Sequence, residues 1–195
     1  MVETKKDFFE IRWHGRGGQG AKSAAQVVAE VALDSGKYSQ AFPEYGAERS
    51  GAPMKAFNRI SDSSITIHSS VESPDIVVVI DETLLGLPDI TAGLDENTGI
   101  LLVNTNKGLD FVAKKTGFKG KICVVPATTI ALEEIKRGIP NTVMLGALAK
   151  LTDYLPLESI IENFKKAFAK KLAPEVLEGN IRAIRRGYEE VTCNG

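Results

Sequence analysis

Four glycines fall within the six residues Gly15-Arg16-Gly17-Gly18-Gln19-Gly20, between a short alternating apolar segment and a long alanine-rich one. Glycine reaches backbone angles closed to other residues and lets a phosphate or a second backbone come close. Phe8 to Trp13 reads as a strand, with Phe9, Ile11 and Trp13 on one face by period-two alternation. Gly18 to Ser35 reads as a helix, with Ala21, Ala24, Ala25, Val28 and Ala32 at helical spacing and Gly36 as its stop. A helix starting here aims its free N–H groups and positive dipole end across the loop, which is anion-binding geometry when left open. The loop is therefore either a cofactor site or a docking surface.

The rest of the chain supports a sheet for that helix to pack on. Lys37 to Phe42 reads as a second strand ended by Pro43, and a loop rich in glycine and charge runs on to Pro53. Met54 to Ile60 and Ser64 to His68 read as a hairpin through Ser61-Asp62-Ser63, with Ile65 and Ile67 facing inward. Asp75 to Asp81, Gly99 to Asn104 and Lys121 to Pro126 are near-continuous apolar runs, the mark of parallel strands covered on both faces. Each ends in polar residues, Thr105-Asn106 and Thr128-Thr129 among them, at the edge where open parallel sheets place their sites. Glu82 to Leu87 and Leu109 to Thr116 are the short crossovers. Four helical patterns follow: Thr128 to Arg137, then stripes through Met144 and Leu155, Ile160 and Phe168, and Leu177 and Val191. The expected fold is α/β: a Rossmann-like open, mostly parallel sheet with helices on both faces and a helical C-terminal third, residues 1–195 forming one domain.

Composition removes several functions. A formal net charge of -1 offers no broad basic footprint for nucleic acid. The longest apolar run, Ile76 to Ile80, is far short of the roughly 20 residues that span a bilayer. Residues 1–10 are charged and unlike a signal peptide, so the expected compartment is the cytoplasm. Cys123 and Cys193 are too few for an iron–sulfur cluster or a four-cysteine zinc site. Cys123 reads as a small buried hydrophobe and Cys193 as incidental in a tail, and no disulfide is expected in a reducing compartment. His14 and His68 alone make no metal site, and His68 reads as structural; no Ser-His-Asp or Cys-His set has credible context, so no residue is assigned a catalytic role.

The glycine loop matches the G-x-G-x-x-G dinucleotide fingerprint in the required strand–loop–helix setting. That reading, a stand-alone NAD(P)- or FAD-binding dehydrogenase, needs an acid at the end of the second strand to hold a ribose. Lys37 to Phe42 has none, and Glu44 lies beyond Pro43 and would have to reach back. The lysine and hydroxyl of a P-loop are also missing. Arg16 and Lys22 flank the loop and suit either a phosphate or solvent and a partner's acids; Gln19 suits a helix cap or a ligand donor. Tyr45, Glu48 and Arg49 suit either a desolvated ion pair at an interface or plain surface charge.

The glycine loop with its alanine-rich helix resembles the start of the gamma subunits of 2-oxoacid:ferredoxin oxidoreductases, the pyruvate-using members being nearest. Pro43-Glu44-Tyr45-Gly46-Ala47-Glu48-Arg49-Ser50-Gly51 is similar to the family's second block, with Ser50 where members often carry a second glycine. Asn141 with Leu145-Gly146-Ala147-Leu148 looks like its third, and Asn180 and Gly187 fit its C-terminal pattern, so the likeness covers nearly the whole chain. The resemblance implies a subunit without a catalytic set or cofactor of its own. It implies a complex that oxidatively decarboxylates a 2-oxoacid to acyl-CoA, CO2 and reduced ferredoxin, using thiamine diphosphate with Mg2+, [4Fe-4S] clusters and coenzyme A. Partners implied are alpha and beta thiamine-binding chains, a ferredoxin-like delta chain and ferredoxin. Gly15, Arg16, Gly17, Gly18, Gln19 and Gly20 are then a coenzyme A contact or a docking loop, and Tyr45, Glu48 and Arg49 an interface.

Overall fold

A computed structural model describes residues 7–45 and 51–195, with only the backbone of Tyr45; Glu48 and Arg49 of the expected interface lie outside the described residues. The chain runs β1 (Phe9–Arg16), α1 (Ala21–Asp34), β2 (Tyr38–Tyr45), β3 (Pro53–Ser61), β4 (Ile76–Val79), a 3-10 turn (Glu82–Leu84) and β5 (Ile100–Asn104). It continues α2 (Leu109–Thr116), β6 (Lys121–Val125), α3 (Ala127–Ile135), α4 (Asn141–Lys150), α5 (Leu157–Phe168), α6 (Pro174–Glu190) and β7 (Thr192–Cys193). All described strands join one sheet in the order β2-β3-β1-β4-β5-β6-β7. β1, β4, β5 and β6 pair in parallel, and β3 and β7 are antiparallel to their neighbours. The α/β, mostly parallel reading holds. Among the described residues no helix is long and apolar enough to cross a membrane.

The helix cover is unequal. Ile11, Trp13, Val78, Leu102 and Cys123 pack with residues of α1, α3, α4, α5 and α6 in one large core. Val77, Val79, Leu101, Val103, Ile122 and Val124 pack on the other side with Val112 of α2 and with Leu84, Leu85 and Ile90 of the irregular crossover. Small side chains let the helices come close. Ala21, Ala24, Ala25 and Ala32 are buried under α1, and a Cβ on Gly146 of α4 would overlap the Ile184 carbonyl of α6, as one on Gly187 would overlap that of Val143. This gives the glycines of the third block and of the C-terminal pattern a packing role.

Three expectations are corrected. The hairpin partner of β3 is not Ser64 to His68, which forms no strand; Ile67 is exposed and Ile65 only half-buried. β1 and β2 already occupy both edges of β3, leaving no free backbone for a further strand. β2 does not stop at Pro43 but continues to Tyr45, which an edge strand permits because one row of its N–H groups points away from the ladder. Cys193 is not incidental: after α6 the chain reverses, β7 pairs with β6 in the register Cys123↔Cys193, and the two sulfurs are bonded. Periodicity within each segment says nothing about a pairing across 70 residues. In the chain-entropy view, a cross-link closing a loop of that size contributes about 4 kcal/mol.

Candidate functional site

The glycine loop is shorter than its sequence suggests. β1 runs through His14, Gly15 and Arg16, pairing with β3 to Pro53, so only Gly17 to Gly20 is turn. Gly20 precedes α1 with φ +84°, a left-handed conformation that suits glycine. Space is the second reason: a side chain on Gly20 would collide with Asn141, the first residue of α4, whose Nδ2 donates to the Gly20 carbonyl at 3.4 Å. Asn141 of α4 thus packs against the residue from which α1 starts.

Gln19 neither caps the helix nor stands free. Its Oε1 accepts from the Arg16 amide at 2.7 Å and its Nε2 donates to Asp81 Oδ2 at 2.8 Å. Arg16 lies at the end of the strand with Nε 3.2 Å from the same Asp81 oxygen. Asp81 also takes the Thr83 amide and hydroxyl on Oδ1. Burial raises the Asp81 pKa, but the bonds from Thr83 and Gln19 and the Arg16 charge outweigh it and hold the carboxyl below its usual range. Glu82 is held low in the same way, burial being offset by bonds from Lys107 and Thr105.

These groups open on a cavity of about 370 Å³ at the C-terminal edge of the parallel strands, lined by Gln19, Ile80, Asp81, Glu82, Asn104, Thr105, Asn106, Pro126, Thr128, Thr129, Gly138 and Pro140. Its floor is braced by Asn104. That amide donates to the Ile80 carbonyl and to Thr128 Oγ1, both at 2.8 Å, and accepts from the Thr128 amide at 3.0 Å. One side chain thus joins the ends of β4 and β5 to the start of α3 and uses up a free N–H of that helix. The lining offers carboxylates, amides and hydroxyls, a surface suited to ligand hydroxyl and amino groups, with Arg16 and Lys107 as the cations at hand.

The polar strand ends anticipated this place; the central position of Asp81 and the floor role of Asn104 carried no local signal. Lys22 is exposed on α1, and His68 is exposed. His14, unremarked as a site, is buried and lines a separate hollow with Glu44, Lys55 and Asp89. The dinucleotide reading meets a topological obstacle. β3 lies between β1 and β2, so Glu44 is two strand spacings from β1, about 10 Å across the sheet. There Glu44 accepts from Ser70 at 2.8 Å instead.

A sheet with this order and a polar site at its parallel edge defines a class. Residues 10–190 match the pyruvate ferredoxin/flavodoxin oxidoreductase family, and the chain belongs to it. It is 67% identical over 193 residues to pyruvate synthase subunit PorC of Thermotoga maritima, covering 99% of this chain and 100% of that one. It is 48% identical over 182 residues to the pyruvate/ketoisovalerate oxidoreductases common subunit gamma of Pyrococcus furiosus, covering 93% and 96%. The crystal structure of pyruvate oxidoreductase subunit PORC of Thermotoga maritima superposes with a TM-score of 0.88 at 63% identity, over 97% of this chain and 100% of that one.

Proposed function

We propose that this chain is the gamma subunit of a pyruvate:ferredoxin oxidoreductase, the whole of residues 1–195 acting as one unit. The observation that carries the reading is end-to-end identity of 67% with a pyruvate synthase subunit. The complex converts pyruvate, CoA and oxidised ferredoxin to acetyl-CoA, CO2 and reduced ferredoxin. Thiamine diphosphate with Mg2+ belongs to the alpha and beta chains and the [4Fe-4S] clusters to the delta chain. This chain's own donors support that division: Cys123 and Cys193 are bonded to each other and offer no thiolate to a cluster. The cavity beside Gln19 and Asp81 is the part we assign to coenzyme A, with its hydroxyl- and amide-rich wall towards the nucleotide and Arg16 towards a phosphate. Tyr45, Glu48 and Arg49 belong to a surface that docks on the thiamine-binding chains.

Affinity purification of the tagged chain from its native cell, followed by mass spectrometry, tests the subunit role. Thiamine-binding chains and a ferredoxin-like chain are expected in stoichiometric amounts. Recovery of the chain without them overturns it.

A further inference from the structure

Arg16 joins three segments that are distant in sequence. Its Nε pairs with Asp81 at 3.2 Å, its Nη2 donates to Thr83 Oγ1 at 2.9 Å, and its Nη1 donates to the Gly51 carbonyl at 3.3 Å. The backbone repeats the last link one residue on, where the Gly17 amide donates to the Ala52 carbonyl at 3.1 Å. One guanidinium therefore spans from the rim of the cavity to the chain entering β3.

The same residue closes a ring. The Arg16 amide donates to Gln19, Gln19 donates to Asp81, and Asp81 holds the Arg16 guanidinium. Of these links only the guanidinium–carboxylate one is open to competition by an anion, since neither Gln19 bond involves a cation. Asp81 tolerates its loss, because two bonds from Thr83 and one from Gln19 remain. The Arg16 side chain is 35% exposed and within reach of an incoming group. A phosphate monoester takes a guanidinium through two parallel bonds and at pH 7 carries about −1.5 to −2 charge, more than a carboxylate. The Gly51 carbonyl, by contrast, is left without this donor when the fork turns away.

We propose that Arg16 is a ligand-responsive clamp: an anionic group held in the Asp81 cavity draws its guanidinium off Asp81 and off the Gly51 carbonyl, and so loosens the turn leading into β3. The proposal rests on the reading that this cavity takes coenzyme A, and it makes Arg16 a positioning residue. The segment it releases directly follows Glu48-Arg49-Ser50 in sequence, the block we assign to docking. Occupancy of the cavity is thus reported to the surface that meets the partner chains.

Hydrogen–deuterium exchange on the assembled complex, with and without saturating coenzyme A, tests this. Exchange is expected to slow at Asn104 to Asn106 and Thr128-Thr129 and to quicken about threefold across Gly51 to Met54, the scale of one partly exposed ion pair. Asp81→Asn removes the competing carboxylate, so the KM for coenzyme A is expected to fall about threefold, whereas simple damage to the loop raises it. Arg16→Gln is expected to leave exchange at Gly51 to Met54 fast whether or not coenzyme A is present. Slower exchange at the cavity with no change at Gly51 to Met54 overturns the clamp and leaves the cavity assignment standing. No change at the cavity, when coenzyme A is bound to the complex, overturns both.

Discussion

Trp13 and His14 are neighbours on β1, yet they enter two differently built interiors. Trp13 is fully buried under α1, its Nε1 donating to Asn58 Oδ1 at 2.9 Å while Asn58 donates to the Ala25 carbonyl at 2.7 Å. The other neighbours on that face, Ile11, Ala56 and Ile60, are apolar. His14 lies on the opposite face with Arg12 and Glu10, and across the ladder with Lys55, Phe57 and Arg59. Glu10, Arg12, His14 and Arg59 are all buried. What differs is the cover. Helices satisfy their own backbone groups, so an apolar sheet face is enough beneath them.

The other half is covered by irregular chain, whose carbonyls need donors from below. Arg12 gives its Nη2 to the carbonyls of Asp89, Ile90 and Ala92 at 3.2, 3.1 and 2.6 Å, and its Nη1 to that of Val71 at 3.4 Å. Arg59 gives to those of Ile67 and Ser69 at 3.4 and 3.2 Å and pairs with Glu10 at 2.7 Å. A guanidinium carries five donors in a fixed fork, which suits it to gather several carbonyls at once. The lesson is that a buried arginine here is the counterpart of a loop, as an alanine is of a helix.

The largest expected effect is on the polar face. Arg59→Met takes the buried guanidinium away from the Glu10 carboxylate and from the Ile67 and Ser69 carbonyls, and is expected to cost about 4 kcal/mol in urea unfolding. A loss under about 1 kcal/mol would show that the loop cover does not depend on it. On the helix face, Gly146→Ala gains about 1 kcal/mol of helix propensity but drives a methyl into the Ile184 carbonyl of α6. Overpacking dominates, and a net loss of about 2 kcal/mol is expected. A raised melting temperature would break the account of α4 against α6.

The smallest effect is a slope. Burial, followed by the adjacent Arg12 charge, pushes the His14 pKa down to about 3, from 6.5. Its ring is held neutral, Nε2 accepting from Arg12 Nε at 3.0 Å. The unfolded chain takes up a proton that the folded one refuses, so the stability due to His14 is present above pH 6.5 and lost as pH falls towards 3. The greatest slope from one group is about 1.4 kcal/mol per pH unit. His14→Gln, neutral at every pH and still an acceptor, is expected to remove most of that slope between pH 6 and pH 4 in denaturant titrations. An unchanged slope would sink the assignment.

Much of the fold was legible. The apolar runs of β4, β5 and β6 could only be covered strands, and the stripes of α5 and α6 appear as helices where their period places them. The polar ends of those strands pointed to the cavity edge, and the glycine loop to its rim. Less legible were features made by residues far apart. β3 slips between β1 and β2, so the acid that a dinucleotide fold needs lies one strand too far away. Gln19 and Asp81 are 62 residues apart and meet only because β1 and β4 lie side by side in parallel, so that the turn after β1 faces the end of β4.

The linear order of residues determined which segments become strand or helix, because the side-chain period acts locally and repeats. It also determined that the turn before α1 must be glycine-rich. Only the tertiary structure decided what that turn faces. It crowds Gly20 with Asn141, commits Arg16 to Asp81, Thr83 and Gly51, bonds Cys123 to Cys193, and sets buried arginines under a loop. Each of these is a meeting of groups whose cost and gain depend on burial, and burial belongs to the folded chain.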